Sequence, residues 1–373
     1  MGLKVLTYNE IAREEWRTLV KNSATGTWFQ TPEAFDFFES LPELFKPFVV
    51  GVERIRGLEV RGLKGVCVGY VTKEKSRLKQ FFTRRAIIIG GPVIADDASS
   101  EEAEALMRAV VESVGCKVYN THYTFNITQN FSSPIYIETR NFNDYSQWRG
   151  TFEKVGFEYK KHLNFHVDTS SAEVVEANLG KSRKRDIRTT IREGVSVVTI
   201  GDLSFVNGDC KSQIDDSVRE RLVREYYGIL EKLYKTKVKT PLFPVEFFLE
   251  LSKQKDARFL LTEYQGHIIG GTVCVMQEGR CLYEWFACGE DGVYPHVFPS
   301  CYATYAGIKY AAEHGCARFD MMGAGTPDAA YGVREFKAKF GGKEVEHGRF
   351  ICVTKPILYQ IGKIGVMLLK RLK

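Results

Sequence analysis

Apolar positions along the chain recur at helical spacing, at strand alternation and in short unbroken runs, and they predict two successions of similar elements. Ile11, Trp16, Leu19 and Val20 lie among charged residues and predict a helix over 9–20. Thr31-Pro32 opens a second helix through Phe35, Phe38 and Leu41. Pro47–Glu53 and Val66–Thr72 read as a hairpin, and the run AIIIGGPV at 86–93 as a strand buried on both faces. Ser99-Ser100-Glu101-Glu102 is a capping signal for a helix that stops at Gly115. A strand over Lys117–Phe125, a helix over Phe142–Val155 ended by Gly156, and a strand over Phe157–Val167 follow.

The second half repeats this order. Arg258–Tyr264, His267–Met276 and Cys281–Cys288 read as strands, and Pro299-Ser300 opens a helix that stops at Gly315. Ala317–Met322 is the next strand, and Val345–Val353 the last. The closing units align as Phe152-Glu-Lys-Val-Gly-Phe157 with Phe336-Lys-Ala-Lys-Phe-Gly341. This is a duplication with a period of about 180 residues. The fold class expected is α/β (α+β), with domains over 1–167 and 168–355 and a basic amphipathic helix over 356–373. Between the halves, ANLGKSRKRDIRTTI at 177–191 places Lys181, Arg185, Arg188 and Arg192 on one helical stripe, with Ile187 and Ile191 on the inward side.

Composition narrows the class. The chain has 373 residues, 44% hydrophobic and 26% charged, with a net charge of +6. That is a mildly basic globular balance, suited to anionic ligands and far from histone-like. The nine Cys contain no C-x-x-C spacing and read as reduced buried thiols. No apolar run is long enough to span a bilayer, and a cytoplasmic monomer is expected. In the terminal helix, Ile357, Ile361, Ile364 and Leu368 form one stripe beside Lys363, Lys370, Arg371 and Lys373, with no acid, so peripheral contact with the inner membrane surface is an expected partner role.

Candidate chemistry concentrates in 319–342. A short apolar strand carries Asp320. A glycine loop with Gly323, Gly325 and Pro327 follows. The next helix has Val333, Phe336 and Phe340 on one face and Arg334, Lys337 and Lys339 on the others. There is no Gly-x-Ser-x-Gly elbow, P-loop or His-Glu-x-x-His, and His162 and His166 with Asn164 between them make a poor metal pair, so no metal is expected. Transfer of an activated acyl group to an amine, the reaction implied by the resemblance drawn below, needs a proton acceptor, a cation or N–H donors for the oxyanion, and a proton for the leaving group. Asp320 and Glu284, acids inside apolar strands, are the candidate acceptors; Lys337 is the candidate cation; Tyr331 is a candidate donor to the leaving group.

The words Phe319-Asp320-Met-Met-Gly323, Tyr331-Gly332-Val333 and Phe336-Lys337-Ala-Lys-Phe340-Gly341, with the tail Gly362-Lys363-Ile-Gly365, resemble the FemABX group of the GNAT acyltransferase superfamily. The basic segment over 181–192 followed by Gly194-Val195-Ser-Val197 is similar as well. The resemblance implies two tandem GNAT-type domains, each a mixed sheet flanked by helices. It also implies transfer of an aminoacyl group from aminoacyl-tRNA to an amine of a peptidoglycan precursor, nucleotide- or lipid-linked. It places Phe336 and Lys337 in the substrate channel and makes the lysine functionally important. Arg334, Lys339, Gly323 and Gly325 around them, and Lys181, Arg185 and Arg188 on the basic stripe, are the expected substrate-binding residues.

Two departures from the family pattern leave the donor, aminoacyl-tRNA or acyl-CoA, undecided, with no bound cofactor expected. Ile214–Tyr234 is followed by a proline-bounded loop and a short helix, with no room for the coiled-coil arm of glycyl-adding members. The place of a CoA pyrophosphate loop holds Glu290-Asp291 and prolines, where backbone N–H donors are needed. The alternatives are a CoA-dependent N-acyltransferase acting on another amine, such as an amino sugar or metabolite, and a non-catalytic binding protein that keeps the fold.

Overall fold

The computed structural model describes residues 2–56, 59–121, 124–129, 133–201, 215–238, 240–328 and 332–371. The chain forms two compact units, one of residues 1–162 and 347–373, the other of residues 163–346.

The first unit contains β1 (Gly2–Thr7), α1 (Arg13–Asn22), α2 (Pro32–Glu39), β2 (Phe45–Arg56), β3 (Glu59–Thr72), α3 (Arg77–Thr83), β4 (Ala86–Gly90), β5 (Val93–Ile94), α4 (Ser100–Ser113), β6 (Cys116–Thr121), β7 (Thr124–Gln129), β8 (Tyr136–Asn141), α5 (Arg149–Lys154) and β9 (Glu158–Lys160). The second contains β10 (Leu163–Asp168), α6 (Ala172–Asn178), α7 (Lys181–Arg192), β11 (Ser196–Ile200), α8 (Asp216–Leu233), α9 (Val245–Leu251), β12 (Ala257–Tyr264), β13 (His267–Gln277), β14 (Cys281–Gly289), α10 (Pro299–Glu313), β15 (Arg318–Gly323), α11 (Gly332–Ala338) and β16 (Lys343–Glu346). The chain then returns to the first unit for β17 (Arg349–Val353) and α12 (Pro356–Arg371).

Among the described residues the two main sheets have matching orders, β1-β2-β3-β4-β8-β17-β9 and β11-β12-β13-β14-β15-β10-β16. In each, one parallel pair is central: β4 with β8, and β14 with β15. The duplication is therefore real, but its boundary is not at 167/168. The strand expected over Phe157–Val167 is two strands, β9 and β10, and the one expected over Val345–Val353 is β16 and β17. Each half thus gives its last strand to the other unit's sheet. Gly348, at φ 66, lies between β16 and β17.

The local sequence explains most elements. β4 is buried at every position, as an all-apolar run in a central parallel pair requires. α4 starts with a complete capping box, Ser99 with Glu102, and Thr31 caps α2 with Pro32 in its first turn. The first core packs α4 and α5 on the sheet through Leu106, Val110, Phe152 and Phe350. The second packs α10, α6 and α7 through Ile308, Val175, Ile187 and Phe319. On α7 the inward residues are Asp186, Ile187 and Thr190. Ile191, expected inward, is exposed. Among the described residues α8 leads through a π-helical turn (Tyr234–Val238) to the short α9, with no coiled-coil arm.

Candidate functional site

The candidate residues gather in the second unit, where β14 and β15 part. Their parallel pairing covers Cys281↔Arg318, Leu282↔Phe319 and Tyr283↔Asp320. Glu284 is the next residue on β14. Its side chain is buried, and its Oε1 accepts hydrogen bonds from Thr304 Oγ1 at 2.9 Å and Thr272 Oγ1 at 3.1 Å. Burial pushes the Glu284 carboxyl up, Lys337 and the two hydroxyls oppose that, and the Asp320 charge adds to it.

Asp320, on β15, is fully buried. Its Oδ1 accepts from the Met322 amide at 2.7 Å, and His166 Nε2 from β10 lies 3.1 Å from Oδ2. Burial opposes ionisation, yet His166, Arg318 and the Met322 amide together hold the carboxyl below the usual range. Asp320 is an ionised anchor for the end of β15.

That end is irregular. Against β10, His166 pairs with Asp320 and Asn164 with Gly323, so β15 carries one extra residue in a β-bulge. Met322 in the bulge has φ 55, a left-handed conformation uncommon for a residue with a side chain. The bulge turns its carbonyls onto one cation. Lys337 Nζ donates to Met321 O, to Gly323 O at 2.9 Å and to Met322 O at 3.5 Å. Lys337 is only 8% exposed, and burial lowers its pKa while Glu284 and Asp320 act to raise it. Three of the expected residues, Glu284, Asp320 and Lys337, thus form one electrostatic group.

The remaining expected residues divide. Arg334 is tied to its own loop, donating to Thr326 O, to Pro327 O at 3.3 Å and to Ala324 O at 3.4 Å, so its guanidinium shapes the turn that contains Gly325 (φ 78). Phe336 is half-buried, with the Arg183 guanidinium 4.4 Å from its ring centroid. Lys339 is exposed, and its carbonyl accepts from the Gly180 amide at 3.0 Å. Since Gly180 precedes α7, this contact seats the basic helix against the end of α11. Lys181, Arg185 and Arg188 are exposed and, with Lys184 and Arg192, line a shallow concave surface. Glu176 lies 3.5 Å from Arg188 and 3.8 Å from Lys184 and offsets part of this charge. Tyr331 lies outside the described residues.

Thr272 and Thr304 were not singled out from the sequence, and His166 stood out there only as half of a poor metal pair. His162, read with His166 as a strand-face pair, belongs to the other unit, where its Nε2 is 2.8 Å from Arg349.

The place of an acyl-CoA pyrophosphate is the N-terminus of the helix after the central strand. At α10 the Ser300 amide donates to the Asp291 carboxylate at 3.1 Å, and Pro299 supplies no N–H. At α4 the Glu102 carboxylate folds back on the Ser99 amide at 2.7 Å. Both N-termini already hold a carboxylate from their own chain, so neither fits an incoming pyrophosphate.

Two matched mixed sheets, each with one central parallel pair and a helix crossing its face, define a tandem GNAT-type fold. Among solved structures, FemX aligns over 97% of this chain and 99% of its own, at 13% identity and a TM-score of 0.65. The C-terminal domain (DUF2156) of a putative lysylphosphatidylglycerol synthetase from Agrobacterium fabrum aligns over 95% of each chain, at 10% identity and a TM-score of 0.53. A tandem GNAT protein from the clavulanic acid biosynthesis pathway aligns over 94% of this chain and 98% of its own, at 10% identity and a TM-score of 0.50. These identities speak for the fold alone. Within that class, the FemAB family model matches residues 250–364, the segment that carries Glu284, Asp320 and Lys337. No curated protein matches the chain in sequence.

Proposed function

We propose that the chain is a FemABX-like acyltransferase that forms an amide bond, moving an aminoacyl group onto an amine of a peptidoglycan precursor, with the second unit as reaction centre. The observation that carries this reading is Lys337: a buried ammonium, fixed by three carbonyls of a strained bulge, inside the segment matched by the FemAB model. Strain and buried charge cost stability, and they persist where function requires them.

In this reading the acceptor amine enters where β14 and β15 part. Glu284, with its raised pKa, takes the proton as the amine nitrogen attacks the acyl carbon. Lys337 supplies the fixed positive charge facing the tetrahedral oxyanion. Collapse breaks the ester bond, and the leaving ribose oxygen takes a proton; Tyr331, next to α11 in sequence, is assigned as its donor. Asp320 and His166 act as positioning residues that keep the bulge in place. Arg334 shapes the loop, and Phe336 with Gly323 lines the approach to the acyl group.

We assign aminoacyl-tRNA as the donor in preference to acyl-CoA, because both helix N-termini are closed by carboxylates. The exposed Lys181, Arg185 and Arg188, adjoining Lys339, are the phosphate-binding face for it. The test is transfer of a labelled amino acid from charged tRNA to a nucleotide- or lipid-linked muropeptide. Product that disappears in Lys337→Ala, with folding retained, supports the reading. Full activity in that variant, or transfer only from acyl-CoA, overturns it.

A further inference from the structure

We propose that α3 and the first turns of α12 form a docking surface for an anionic phospholipid membrane. The two helices share an anchor in the first unit. The Ile135 amide donates to Arg84 O, at the end of α3, at 2.8 Å, and the Thr354 and Lys355 amides, at the start of α12, donate to Ile135 O at 3.0 Å. Arg84 and Lys355 are close enough for their charges to oppose each other. α3 and α12 pack as neighbours from there.

Both helices turn large apolar residues to solvent. On α3 these are Leu78, 71% exposed, and Phe82, 46% exposed. On α12 they are Ile357 at 78%, Ile361 at 49% and Ile364 at 53%, on one helical face, while Tyr359 packs inward on Tyr136 with ring centroids 5.4 Å apart. A soluble surface scatters such residues singly; five on two neighbouring helices form a patch that needs a partner. The amphipathic stripe foreseen in the sequence is therefore outward over its first three positions. α3, which drew no attention in the sequence, supplies the second half of the surface.

Charge decides the occupant. Lys75, Arg77 and Lys79 flank the exposed apolar residues of α3, and Lys363 those of α12. α12 contains no acid, and Glu74, which precedes α3, is 2.8 Å from Lys79. A second copy of the same face would set cations against cations. An anionic lipid surface meets both features, taking the apolar side chains into the acyl boundary and the cations at the headgroups. Among the described residues no helix is long and apolar enough to cross a membrane, so the contact is interfacial.

The test is co-sedimentation of the full chain with phosphatidylcholine vesicles and with vesicles containing phosphatidylglycerol. Binding is expected to the anionic vesicles and to weaken as salt rises. Leu78→Glu with Ile361→Glu, both at exposed positions, should lower partition at least about tenfold with an unchanged melting temperature. Arg77→Gln and Lys363→Gln should each lower it about fivefold. Absence of binding to anionic vesicles, binding of the double apolar variant equal to the parent, or a concentration-dependent dimer that the double variant abolishes would each overturn the proposal.

Discussion

The central strands of the two units correspond residue by residue in register. β8 and β15 each carry an acid at the third position, Glu138 and Asp320. Opposite them on the parallel neighbour stand Ile87 and Tyr283. The next residue is buried Ile88 in the first unit and buried Glu284 in the second. The helix stops Gly156 (φ 89) and Gly341 (φ 79) also correspond, which puts Phe152 and Lys337 at the same position, four residues before the glycine. The sequence pairing of Phe152 with Phe336 was one residue out of step. A buried isoleucine and phenylalanine in one unit are thus a buried glutamate and lysine in the other. In the first unit the parallel pairing continues to Gly90↔Asn141, and β17 pairs with β8 in regular register. In the second it stops at Tyr283↔Asp320, and β15 bulges. The fold closes with apolar residues at these positions, so the charged pair and the opened sheet are not demands of the fold.

The acids differ in the same sense. Glu138 lies 2.6 Å from Arg349 and 3.2 Å from Arg140, and the two guanidiniums hold its carboxyl at about 2 despite burial. Its partners are complete, and it reads as a structural ion cluster. Asp320 has His166 and a backbone amide, and a lysine near it that is bound to carbonyls.

The largest effect that would sharpen this contrast is on rate. Glu284→Gln should lower transfer by about 10²–10⁴-fold with little change in unfolding midpoint. The acidic limb of the parent's pH–rate profile should lie above the ordinary glutamate range and be lost in the variant, since the base acts only when deprotonated. In the first unit the effect should be on stability instead. Glu138→Gln leaves two half-buried arginines without their anion and should cost about 2 kcal/mol in denaturant unfolding, with no direct effect on the chemical step. The sign with pH follows. A carboxyl depressed to about 2 contributes stability that is fully present above its unfolded pKa and is lost as pH falls from about 4.5 toward 2. Glu138→Gln should flatten that acid limb. The smallest effect belongs to the exposed stripe. Arg185→Glu with Arg188→Glu should change stability by less than about 0.5 kcal/mol while reducing the salt dependence of tRNA binding, measured by filter binding; an unchanged slope would make the stripe a solvated face.

The sequence made the duplication, the α4 and α10 starts and the Asp320–Lys337 neighbourhood legible, because capping residues, glycine stops and apolar runs are local signals. β8 was not legible. Four of its six residues, Glu138, Thr139, Arg140 and Asn141, are polar, and the three buried ones find their partners in Arg349, Phe350 and His347, distant in sequence. The strand over Lys117–Phe125 took its place in the repeat, although it belongs to the separate β6–β7 hairpin. The exchange of β10 and β17 between sheets was hidden for a related reason: β9 with β10, and β16 with β17, each read as one continuous strand. The bulge at Met322 has no local signature, because it depends on Asp320 and Lys337 closing around it.

The most direct measurement of the central claim is Lys337→Met, assayed for unfolding midpoint and for transfer together. Lys337 stands where the other unit has Phe152, so an unbranched apolar side chain should fit and keep the fold, at a cost of about 1–3 kcal/mol for the carbonyls and acids that lose their cation, while transfer falls about 10²–10³-fold. A variant that transfers at the parental rate, or one that loses its folded state, would contradict the view that this lysine is kept for chemistry and not for the fold.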